Sequence, residues 1–183
     1  MISSAIFKIL GIGVLAAALL FSAANPTAVN QGSGAFATTA SYEFKNGQLV
    51  LNIEFTNNHS AAAQLQFGSG QQYEIVVTDE SGNEVYRFSD GKFFTMALLF
   101  KDLQPGEALS WQETWDLTNK DGEKLRSGKY TATINVLALA ESAEAKIPDE
   151  QLTAKLEFDL TELAKAAVKE TADTVIAALK DKD

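Results

Sequence analysis

Residues 48–57 read QLVLNIEFTN, and this stretch decides the fold. Leu49, Leu51, Ile53 and Phe55 take alternate positions, while Gln48, Asn52 and Glu54 point the other way. Successive side chains of a strand leave on opposite faces, so this period of two buries one face and wets the other. The same alternation returns downstream. Tyr73, Ile75 and Val77 alternate with Glu74 and Thr78. Tyr130, Ala132, Ile134 and Val136 alternate with Thr131, Thr133 and Asn135. Ala154, Leu156, Phe158 and Leu160 alternate with Lys155, Glu157 and Asp159. One buried and one wet face is the signature of antiparallel sheets.

Turn chemistry separates these runs. Asn46-Gly47 tolerates the positive φ of a type I′ hairpin turn. Glu80-Ser81-Gly82-Asn83, Gln104-Pro105-Gly106-Glu107, Asp121-Gly122 and Ser127-Gly128 supply further breaks. No helical pattern interrupts the strands between Ala40 and Leu160, which predicts an all-β chain, an antiparallel β-sandwich over 40–160 rather than a βαβ sheet. Leu125-Arg126-Ser127-Gly128-Lys129-Tyr130 has the L-x-x-G-x-Y spacing of a tyrosine corner, in which the hydroxyl bonds a backbone group just upstream.

The ends differ from this middle. Lys8 is the only charge before Glu43, and residues 9–24 read ILGIGVLAAALLFSAA, followed by the helix-stopping Asn25-Pro26. Small residues at Ser22-Ala23-Ala24 fit a secretory leader over 1–24, cut after Ala24 or later at Ala28. The run falls short of the ~20 apolar residues of a comfortable membrane span, so an uncleaved N-terminal anchor is the lesser alternative and a buried core helix the other. Residues 25–39 (NPTAVNQGSGAFATT) read as a flexible spacer. From Thr161 to Asp183 there is neither Pro nor Gly, and Ala164, Val168, Ala172, Val175 and Leu179 form one stripe of a C-terminal α-helix that Asp159 or Thr161 can cap.

Composition removes much of the enzyme repertoire. The chain has 183 residues, no Cys and one His, so disulfides, thiolate metal sites, cysteine nucleophiles and multi-histidine metal sites are excluded. A net charge of −9 repels phosphate backbones and argues against nucleic acid as a partner. Hydrophobic residues at 46% suffice for a real core. The loop Asp116-Leu117-Thr118-Asn119-Lys120-Asp121-Gly122 contains an N-x-D-G piece, but with Gly122 at the sharp turn the ligand positions fall on Leu117 and Gly128, so an Asx/Gly turn is expected rather than a calcium loop. Asp79 to Glu84 reads as a hairpin turn. His59, in the polar break Asn57-Asn58-His59-Ser60, has no nucleophile elbow to serve and reads as a solvated loop residue. Gly68-Ser69-Gly70 lacks the Lys and helix of a phosphate loop. No catalytic, cofactor-binding or metal-binding residue is assigned, and no cofactor is expected.

Two stretches are less ordinary. Glu113 falls between Trp111 and Trp115 in strand phase, which places it on the aromatic side, where burial disfavours a carboxylate. A bulge turning it outward is the simpler expectation. Phe93 to Phe100 (FFTMALLF) is the most apolar internal segment. It reads either as an exposed contact surface for another protein or, preferably, as a buried strand or crossover closing one end of the sandwich, because eight largely apolar residues on show invite aggregation.

Taken in order, several pieces resemble one family. They are a strand ending in Asn57-Asn58, then Leu65-Gln66-Phe67-Gly68-Ser69-Gly70-Gln71-Gln72-Tyr73-Glu74, then Asp79 followed by Gly82-Asn83-Glu84-Val85-Tyr86-Arg87-Phe88-Ser89. Phe94-Thr95-Met96-Ala97-Leu98, Leu103-Gln104-Pro105-Gly106-Glu107, Trp115-Asp116 and Leu125 to Ala132 complete the set. From about Leu51 to Val136 the chain is similar to the BsuPI domain, the intracellular proteinase inhibitor family of Bacillus-type bacteria. The family pattern favours Trp where Phe88 stands. The resemblance implies an Ig-like sandwich, no catalysis and a protein partner, a subtilisin-type serine proteinase. It transfers no inhibitory residue by motif. The leader points to a secreted or cell-envelope protein, with membrane contact only through an uncleaved N-terminal segment, and the resemblance implies a source among Gram-positive bacteria. The alternative function is a cell-envelope structural or interaction domain with no proteinase partner.

Overall fold

The computed structural model of the protein describes residues 27–29, 34–140 and 146–180. The predicted leader over 1–24 lies outside them. Among the described residues the strands are β1 (Thr27–Val29), β2 (Phe36–Lys45), β3 (Gln48–Asn57), β4 (Ala63–Phe67), β5 (Tyr73–Asp79), β6 (Glu84–Arg87), β7 (Leu99–Leu103), β8 (Ala108–Trp115), β9 (Lys129–Val136), β10 (Ala138–Ala140) and β11 (Thr153–Asp159). The short helix α1 (Asp149–Leu152) precedes β11, and α2 (Leu160–Lys180) follows it. Every pairing is antiparallel, in three sheets ordered β1-β2-β3-β8, β11-β9-β5-β6 and β10-β4-β7.

The alternation builds the interior. Leu49, Leu51, Ile53 and Phe55 of β3 are completely buried, and Ile75, Val77, Ala132, Ile134, Val136 and Leu156 join them in one core. Each fully buried aliphatic or aromatic side chain stabilises by roughly 1.5–3 kcal/mol relative to exposure. Aromatic contacts carry the core from one four-stranded sheet to the other. Tyr42 of β2 meets Phe158 of β11 at 5.9 Å, Trp115 of β8 stacks on Tyr86 of β6 at 4.5 Å, and Trp111 lies 5.7 Å from Tyr73 of β5. Leu65, Phe67, Leu103 and Ala138 bring the third sheet into the same cluster.

Local chemistry fixes the turns as the sequence implies. Asn46 and Gly47 have φ of 53° and 75°, both in the left-handed region the hairpin between β2 and β3 requires. The Asp79 carboxylate accepts hydrogen bonds from the Ser81 and Asn83 amides, each at 2.9 Å, and from the Asn83 side chain. The Asn119 side chain likewise accepts from the Asp121 and Glu123 amides, so the 116–122 loop is an Asx turn. The Tyr130 hydroxyl donates to the Arg126 carbonyl at 2.9 Å, the bond expected of a tyrosine corner. Asp159 caps α2 by accepting the Thr161 amide at 2.8 Å.

Two boundaries move. The spacer reading of 25–39 is corrected, because β2 begins at Phe36 and Thr27–Val29 pairs with Thr39–Ser41. The cause lies far along the chain. Gln151 of α1 accepts the Phe36 amide with Oε1 at 2.9 Å, and its own carbonyl accepts the Thr38 hydroxyl at 2.7 Å. Gly34 keeps this contact possible, since a Cβ there would come within 2.3 Å of the Gln151 side chain. At the other end, Leu160 is helical rather than the last strand residue, its amide donating to the Gly128 carbonyl at 2.9 Å.

Candidate functional site

The preferred reading of Phe93 to Phe100 as a buried closure is overturned. Residues 92–98 form neither helix nor strand, and Phe93 (100%) and Met96 (94%) stand fully in solvent, with Leu98 and Phe100 more than half exposed. The segment leaves a turn at Ser89–Lys92 and runs into β7, which pairs only with β4 and forms the outer edge of its sheet among the described residues. Lys101 and Asp102 place charges on that exposed edge, as edge strands that avoid uncontrolled pairing do.

Three residues fasten the segment, Phe94 against the core and Lys92 and Thr95 outside it. Lys92 Nζ sits 3.0 Å from Glu113 Oε1 and 3.5 Å above the centre of the Phe88 ring. Phe94 turns inward, its ring 6.0 Å from that of Phe88. The Thr95 carbonyl accepts the Gly70 amide at 2.9 Å. Gly70 has no room for a side chain, since a Cβ would lie 2.5 Å from Thr95 Oγ1. Upstream, Glu74 holds the root of the segment by accepting the Ser89 amide at 3.1 Å, and Phe88 donates its amide to the Ile75 carbonyl at 2.9 Å. Residues 92, 94 and 95 are therefore held while 93, 96 and 98 project.

Glu113 is a second correction. β8 pairs with β3 without a bulge, and Glu113 stays in phase with Trp111 and Trp115 on the half-buried face. The burial is tolerable because two donors meet the carboxylate, Lys92 and the Tyr73 hydroxyl at 3.3 Å. Burial first, and then the charge and hydrogen bond of Glu113, push the Tyr73 hydroxyl above its ordinary range. Tyr86 is raised by burial and next by the Glu113 charge. Both phenols remain neutral at physiological pH, and Tyr73 is the donor to Glu113.

The remaining sequence candidates stay apart from this site. His59 lies exposed in its loop with its ring edge on Phe36 at 5.6 Å. Ser69 accepts the Gln71 amide and completes a turn. Among the described residues no group of three or more His, Asp or Glu could hold a metal ion, and no helix is long and apolar enough to cross a membrane. Sequence reading found the apolar run and Glu113 but missed Gly70 and Lys92 as their supports. The one available signal was a Gly in a polar break preceding a strand, which marks close backbone approach.

Antiparallel sheets around one shared core, with an apolar segment presented from a fastened base, define a β-rich protein that displays an apolar surface. Residues 36–141, more than half of the chain, match the family model described as BsuPI, intracellular proteinase inhibitor, and the chain belongs to that family. No curated protein matches the chain. Among solved structures it is similar to β-glucosidase 3B from Thermotoga neapolitana, solved in complex with α-D-glucose, at 16% identity and TM-score 0.34 over 68% of this chain and 16% of that one. A β-glucosidase from Erythrobacter marinus gives 15% identity and TM-score 0.32 over 74% of this chain and 15% of the other. The C-terminal domain of wzt gives 11% identity and TM-score 0.33 over 74% and 72%. The chain thus spans about a sixth of each glucosidase.

Proposed function

We propose that this protein is an exported, non-catalytic binding module that inhibits or binds a subtilisin-type serine proteinase through residues 92–100 and the free edge of β7. The single observation carrying this reading is the presentation of Phe93, Met96 and Leu98 to solvent from a base fastened at Lys92, Phe94 and Thr95. Exposed apolar side chains on a pre-ordered segment lose little entropy on entering a partner's cleft. Membership of a proteinase inhibitor family supports a proteinase as that partner. The fold reading that accompanies it is an Ig-like Greek-key sandwich. It is supported by the facing orders β1-β2-β3-β8 and β11-β9-β5-β6 and by the Tyr130 corner. Titrating subtilisin with the purified chain is expected to give saturable inhibition, and loss of neither activity nor free proteinase would remove the reading.

The proposed location is outside the cell or in the envelope, on the strength of residues 9–24. An N-terminus at Asn25 or Val29 on the native protein is the expected mark of export. One observation favours the second reading, an envelope interaction domain with no proteinase partner. Val168, Val175, Ile176 and Leu179 of α2 are at least half exposed, a display that proteinase binding does not use.

A further inference from the structure

Resting on the proteinase reading, we propose that Phe93 fills the primary specificity pocket of the proteinase and that the Phe93–Phe94 peptide bond lies across its catalytic serine. Phe100 projects from within β7, and of the three apolar side chains that project from the segment outside the strand only Phe93 is flanked on both sides by fastened residues. Lys92 is held by Glu113 and the Phe88 ring, and Phe94 is anchored beside Phe88. Met96 follows the held Thr95 but precedes the exposed Ala97, and Leu98 follows Ala97. A large, uncharged, fully exposed ring fits an apolar pocket of the chymotrypsin or subtilisin kind and not one that carries a carboxylate.

The same fastening explains inhibition in place of digestion. The serine oxygen adds to the Phe93 carbonyl carbon while its proton passes to the proteinase's histidine. Collapse breaks the C–N bond, the histidine returns the proton to the Phe94 nitrogen, and an ester of Phe93 stands opposite a free Phe94 amine. In a flexible substrate that amine diffuses away and water takes its place. Here the Phe94 ring stays packed against the core, Thr95 stays bonded to Gly70, and Lys92 stays on Glu113. The amine remains at the ester at high effective concentration, so re-forming the peptide bond outruns hydrolysis.

Phe93→Arg tests this, because a fully exposed side chain can be exchanged without disturbing the core. The full chain and its variant are titrated against subtilisin and against trypsin, and the first bond cut in each mixture is read by mass spectrometry. The expected result is inhibition of subtilisin but not trypsin by the natural chain. Phe93→Arg should lose about 100-fold against subtilisin and gain inhibition of trypsin. Unchanged inhibition of subtilisin by Phe93→Arg overturns the inference and leaves the proteinase reading standing. Loss against subtilisin with no gain against trypsin also overturns it, since Phe93 is then a contact and not the pocket residue. If the natural chain inhibits neither enzyme but subtilisin cuts first between Phe93 and Phe94, the inhibitor reading falls and the placement of this bond in the cleft survives. A first cut elsewhere, or none, removes both.

Discussion

Glu113 shows how one residue can break the alternation rule while the strand obeys it. Its side chain sits between two tryptophans, and the carboxylate is ion-paired with Lys92 and hydrogen-bonded by Tyr73. The cost of partial burial is thus offset within the site, and the same contact fastens the root of the projecting segment. The charge is also felt by the neighbouring phenols, Tyr73 and Tyr86, both already raised by burial from an ordinary 10.0. A phenol whose folded value is raised contributes stability that is complete below pH 10 and is lost as pH climbs through the raised value. Glu113→Gln keeps an acceptor for Tyr73 and removes the charge. We expect phenolate absorbance to titrate at lower pH in this variant, closer to 10.0, and the alkaline loss of stability to shrink. An unchanged phenolate titration would show that the charge does not reach Tyr73.

At the scale of elements, the 92–98 segment depends on Gly70, which lies outside it and bonds Thr95. Gly70→Ala sets a Cβ 2.5 Å from Thr95 Oγ1 and 3.3 Å from the Thr95 amide nitrogen, so Thr95 must give way at the point that fastens the segment. Since Gly70 lies in a surface bend rather than in the core, the melting temperature should change little, while inhibition of subtilisin should weaken about tenfold, the effect of 1.4 kcal/mol. Adding Thr95→Ala removes the nearer clash and should restore part of it. Equal inhibition by Gly70→Ala and the natural chain would mean that the segment's position is immaterial. The strands themselves were legible because period two is a local signal, as QLVLNIEFTN shows in four fully buried residues. The Asn46-Gly47 hairpin and the Tyr130 corner were legible for the same reason. The start of β2 was not, since it depends on Gln151, more than a hundred residues away. Nor was the exposure of Phe93 and Met96, because an apolar run reads alike whether its neighbours fold over it or fasten it outward. What decides is Gly70, Lys92 and Glu113, and no local pattern links those three.

Across the whole molecule, the core and the display surfaces are separable. Leu160 and Leu163, in the first turn of α2, pack against the core, whereas Val168, Val175, Ile176 and Leu179 beyond them remain exposed. A helix that buries little apolar area gains little from tertiary packing, and an isolated helix of this length is marginal in water. Ending the chain after Leu163 should therefore cost less than about 1 kcal/mol in chemical unfolding. It should also leave inhibition of subtilisin unchanged, because the 92–100 segment is built on Phe88, Gly70 and Glu113, which α2 does not supply. A loss of several kcal/mol would make α2 part of the fold. Full stability and full inhibition, combined with release of the shortened chain from an envelope fraction that retains the natural one, would assign the apolar stripe of α2 to a second contact, so that the proteinase and envelope readings describe two ends of one molecule.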